Sequence, residues 1–115
     1  MSFKNNNYFK HESQGDISKW CEIEDLSDDV KQGKFNSDVN RAWSVIRHWT
    51  SGDESHYYVT LDKNNEYEIY DHEGNDLFPH SFNGAPIIRA IEIWDIKHQL
   101  SPKALKTFEE LIDEL

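Results

Sequence analysis

The chain has 115 residues and a formal net charge of −10, from 22 Asp plus Glu against 12 Lys plus Arg, so it repels phosphate backbones and direct binding of DNA or RNA is not expected. A length typical of one domain, with 37% hydrophobic and 13% aromatic residues, excludes a wholly disordered chain and supplies large side chains for a core. The single cysteine, Cys21, excludes an intramolecular disulfide and a thiolate metal cluster; with no apolar run of spanning length, the expectation is a cytoplasmic protein with no membrane contact.

Residues 1–15 are polar, Asn-rich and aperiodic, and read as a flexible N-terminal arm anchored only by Tyr8 and Phe9, ahead of one domain over residues 16–115. From Asp16 to Asp25 the signal is mixed: Cys21 and Ile23 alternate like a strand, whereas Ile17, Trp20 and Cys21 fit a helical face. Ser27 before Asp28 and Asp29 suggests a capped short helix ended by Gly33. Ser37 precedes Val39, Ala42, Trp43, Ile46 and Trp49, and this spacing predicts a helix up to Gly52 whose other face, with Asn40, Arg41, Ser44, Arg47 and His48, meets water.

After Gly52 the period changes to two. Tyr57, Val59 and Leu61, then Tyr67 and Ile69, alternate with polar residues around the turn Asp62-Lys63-Asn64-Asn65, which predicts a β-hairpin. A second turn, 71–75, leads to a short strand at Leu77-Phe78 and a loop from Pro79 to Pro86. The isoleucine-rich run from Ile87 to Ile96 reads as an interior strand. Ser101-Pro102 then opens a C-terminal helix with the stripe Ala104, Leu105, Phe108, Leu111, Ile112 and Leu115. Together these elements predict an α+β fold: a small antiparallel sheet of three to four strands, with helices packed on one face and a C-terminal helix.

No motif carries catalysis. His11, His48, His56, His72, His80 and His98 lack the paired spacings of a metal site, so no metal or cofactor is expected. Asp62, Asn64, Glu66 and Glu68 resemble a calcium loop, but Tyr67 stands where its glycine belongs. The one catalytic grouping worth testing, as a small hydrolase, is His56, His72 and Glu68.

The distinctive feature is acidity in the stretch 53–76, where eight Asp and Glu face only Lys63. If the apolar hairpin residues face the helices, Tyr58, Glu66, Glu68 and Tyr70 share the other face, flanked by the turn carboxylates Asp62, Asp71 and Glu73. Carboxylates speed encounter with a basic partner, and rigid tyrosines supply apolar contact. These seven residues are the expected partner-binding site of a non-enzymatic inhibitor that masks a basic nuclease or nucleic-acid-binding complex. In size and composition alone the chain is similar to toxin immunity proteins and to phage-encoded inhibitors of host nucleases, including anti-CRISPR proteins; no residue role follows from that similarity. The alternative is an adaptor or assembly protein that uses its N-terminal arm or C-terminal helix, pairing as a homodimer included.

Overall fold

Strands β1 (Cys21–Asp25), β2 (Val39–His48), β3 (Glu54–Asp62) and β4 (Tyr67–Asp71) pair antiparallel in chain order, forming one four-stranded sheet. The computed structural model describes residues 17–77 and 84–113. The expected N-terminal arm, Phe78, most of the loop 79–86 and Leu115 lie outside the described residues.

Register fixes which side chains meet. Trp43 is opposite Val59, which is opposite Ile69; Val45 is flanked by Ile23 and Tyr57. Side chains two apart on a strand share a face, so these residues point to one side, where Trp43, Val45, Val59 and Ile69 are fully buried. The hairpin from Tyr57 to Tyr70 therefore forms as the alternation predicts. Its turn is closed by Asp62, whose Oδ1 accepts the N–H groups of Asn64 and Glu66 at 2.8 and 2.9 Å, with Asn65 in the left-handed region at φ 63°. Asparagine tolerates that conformation better than most residues. After the next turn, Asp76 bridges Tyr70 and the Leu77 N–H donates to the Ile69 carbonyl, a short return where a third hairpin strand was expected.

Two elements correct the sequence reading. Residues 39–48 are a strand, not a helix. Arg41, Trp43, Val45 and Arg47 form its inner row, and this alternation competes with the helical spacing of Val39, Ala42, Trp43 and Ile46. Conversely, residues 87–96 are helical, within α2 (Ala85–Gln99), which follows a short helix α1 (Ser27–Lys31). Ile87, Ala90 and Ile91 recur at helical spacing and are fully buried, with Trp94 continuing the row half-buried. Burial of this face outweighs the weak preference of isoleucine against helix. Pro86 occupies the first helical turn, where its missing N–H costs nothing.

The helices cover the inner face. Ile87 and Ile91 of α2 pack on Trp43, Val45, Tyr57, Val59 and Ile69. In a second cluster, Ala90 and Ile93 meet Ile17, from the 3-10 turn Ile17–Trp20, and Ile112 of α3 (Pro102–Asp113). The α3 start forms as expected, with Ser101 Oγ accepting the Ala104 N–H at 3.3 Å and Pro102 first in the helix. In α1, Ser27 is the first helical residue rather than the cap; its N–H is accepted by Asp25 Oδ1 at 2.8 Å.

Candidate functional site

The sheet face turned away from α2 holds the candidate site. Tyr58 on β3 is directly opposite Tyr70 on β4, and Glu68 lies on the same face two residues before Tyr70. The Tyr70 hydroxyl donates to Glu68 Oε2 at 2.6 Å. That bond and burial push the Tyr70 pKa up to about 12, because the neutral phenol is the donor and a carboxylate beside it disfavours a second negative charge. Thr60 also hydrogen-bonds the Tyr70 oxygen and is itself buried. Tyr58 remains 42% exposed.

The seven expected partner-binding residues divide by role. Tyr58, Glu68 and Tyr70 share the outer face, and the exposed Glu66 precedes β4 with the outward parity of Glu68. Asp62 and Asp71 serve their own turns. The Asp71 Oδ1 accepts the N–H groups of Glu73 and Asn75, and its Oδ2 accepts the Asn75 side-chain amide; these bonds hold its pKa below the ordinary value. Glu73 sits exposed on that turn, 3.7 Å from His72.

Both arginines of the strands are turned to the inner face, against the expectation that they meet water. Arg41 donates through Nη1 and Nη2 to the two oxygens of Asp95, at 2.6 and 2.9 Å, and through Nη2 to Asp25 at 3.1 Å. This fork geometry suits guanidinium. Arg47 is 5% exposed, with its guanidinium 3.9 Å from the ring centre of Trp49. The outward positions of the four strands consequently carry Glu22, Glu24, Glu54 and Glu68 and no lysine or arginine.

Glu22, Glu24 and Glu54 extend the acidic face across the sheet, beyond the residues legible in the hairpin. The alternation Glu22-Ile23-Glu24 is the sequence signal of the first two, obscured there by the competing helical spacing of Ile17, Trp20 and Cys21. His48 stands between two of these carboxylates: Nε2 is 2.7 Å from Glu22 and Nδ1 is 3.4 Å from Glu54. The three side chains offer ligand atoms within 4.8 Å of one another. As placed, Glu22 is hydrogen-bonded to His48 Nε2, while Glu54 lies beside the other ring nitrogen.

His56, Glu68 and His72, the grouping considered for a hydrolase, are all exposed. His56 pairs in register with Ile46 while Glu68 pairs with Thr60, and His72 is exposed on the turn after β4. No ion pair among the described residues joins the three. Among the described residues, no helix is long and apolar enough to cross a membrane. No protein-family model, curated protein or solved structure matches the chain.

Proposed function

We propose that this protein is a non-enzymatic inhibitor whose acidic sheet face docks on, and masks, the basic groove of a nucleic-acid-handling protein such as a nuclease. One observation supports it above the others: outward strand positions present glutamates on three strands around an exposed tyrosine, with both strand arginines withdrawn to the opposite face. A surface of one sign accelerates encounter with a partner of the other. Tyr58 and Tyr70 supply the rigid aromatic contact common at the centres of such interfaces.

The test compares the natural chain with a Glu22→Lys, Glu24→Lys, Glu68→Lys variant as affinity baits in the native host. The expected outcome is a basic nuclease or nucleic-acid-binding protein retained by the natural chain and released by the variant. Reconstituted, that partner should lose activity on nucleic acid when the natural chain is added. Association should slow at least tenfold on reversal and lose most of its salt dependence. Equal capture by both baits, or a partner that stays fully active in the complex, would overturn the proposal.

A further inference from the structure

On the helical side, α3 is buried along one edge only. Ile112 is its one buried residue, with Leu105 and Phe108 half-buried. Ala104, Thr107 and Leu111 form a second strip, one to two turns apart, which with Ile96 and Leu100 lines an open apolar groove of about 470 Å³. Leu111 is 59% and Ile96 43% exposed. Isolated exposed leucines are ordinary on protein surfaces, but a contiguous apolar groove marks a contact.

The charges beside this strip indicate what covers it. Lys103 and Lys106 occupy the first half of α3, whereas Glu109, Glu110 and Asp113 occupy the second. That order opposes the helix dipole, which favours acids at the start and bases at the end. Glu109 pairs with Lys97 and Asp113 with Lys19, but Lys103, Lys106 and Glu110 have no ion pair among the described residues. Lys103 and Glu110 are seven residues apart, two helical turns, and so lie on the same flank of the Ala104-Thr107-Leu111 strip.

From this pairing of strip and charge, we infer that the groove docks a second copy of this chain, with the two α3 helices antiparallel about a two-fold axis near Thr107. In that arrangement Lys103 of each copy meets Glu110 of the other, twice over, and Leu111 enters the groove beside its partner's Ala104. A parallel arrangement would instead set lysine against lysine. The self-complementary charge order is what an isologous interface requires. The seam also lies where the acidic chain is nearly neutral: residues 101–113 hold two lysines against three acids. The outer sheet face stays free of this contact, so dimerisation and partner docking are independent.

Sedimentation equilibrium of the full chain over a concentration series tests the arrangement. The natural chain should be dimeric, and Leu111→Glu, a change at an exposed site, should be monomeric with unchanged far-ultraviolet circular dichroism. Lys103→Glu and Glu110→Lys singly should each weaken the dimer roughly tenfold, because each reversal acts at both ends of the seam. The double variant, which restores opposite charges, should recover the natural affinity. A monomer at all concentrations would overturn the inference, as would a Leu111→Glu dimer or a groove that binds only helices of other proteins. A double variant no stronger than the singles would overturn the antiparallel register.

Discussion

Tyr70 and Glu68 are the residues in which the physics of the acidic face is most directly measurable. The folded Tyr70 keeps its proton up to about 12, above the ordinary value of 10.0. A raised pKa means that the fold favours the protonated form, so the stabilisation is complete below pH 10 and disappears as pH rises through 12. Following tyrosinate absorbance during alkaline titration should reveal a step near 12 that Tyr70→Phe removes, while Tyr67, raised mainly by burial, still titrates above its ordinary value. Glu68→Gln should return Tyr70 towards 10, because the carboxylate acceptor is its first cause; an unmoved titration would mean the bond does not form in solution. Asp25 behaves in the opposite sense. Burial works to raise it, but its hydrogen bonds from Ser27 and the Arg41 guanidinium hold it below 3.8, so its contribution is present above that pH and is lost in acid.

At the level of elements, β2 separates two readings of one segment experimentally. A helix over residues 39–49 would bury Ile46 with Trp43, whereas the strand buries Val45 and points Ile46 to the outer face between Glu22 and His56. Val45→Ala should therefore cost roughly 2 kcal/mol in urea unfolding and Ile46→Ala under about 1 kcal/mol. The reverse order would contradict the register. The strand escaped the sequence reading because half of its inner row is arginine. Arg41 is held inward by Asp25 and Asp95, the second more than fifty positions away, and the Arg47 guanidinium lies on Trp49. For α2 the isoleucines misled, while Pro86 and fifteen residues uninterrupted by a turn were the legible helical signals. The hairpin and α3 were readable because their signals are local: strict alternation around an Asp-Asn turn, and a serine cap followed by proline. Of the candidate site, Tyr58, Glu66, Glu68 and Tyr70 were legible from that alternation. Glu22 and Glu24 needed the pairing of β1 with β2, Glu54 that of β2 with β3, and the turn-closing roles of Asp62 and Asp71 needed atomic distances.

In the molecule as a whole, the sheet comes first along the chain and the layer that covers it comes last. All four strands precede residue 72, yet their inner face is closed by Ile87 and Ile91 of α2, with Ile112 of α3 locking Ile17 in place. A version ending at residue 84 should therefore bind hydrophobic dyes, show solvent-shifted tryptophan emission and unfold without a cooperative transition; native-like emission would show that the sheet stands alone. The same order bears on synthesis. A growing chain whose meander has left the ribosome still holds Trp43, Val59 and Ile69 bare until roughly thirty more residues emerge. During that interval the nascent protein is most exposed to chaperones and to aggregation, and the final helices complete its escape from both.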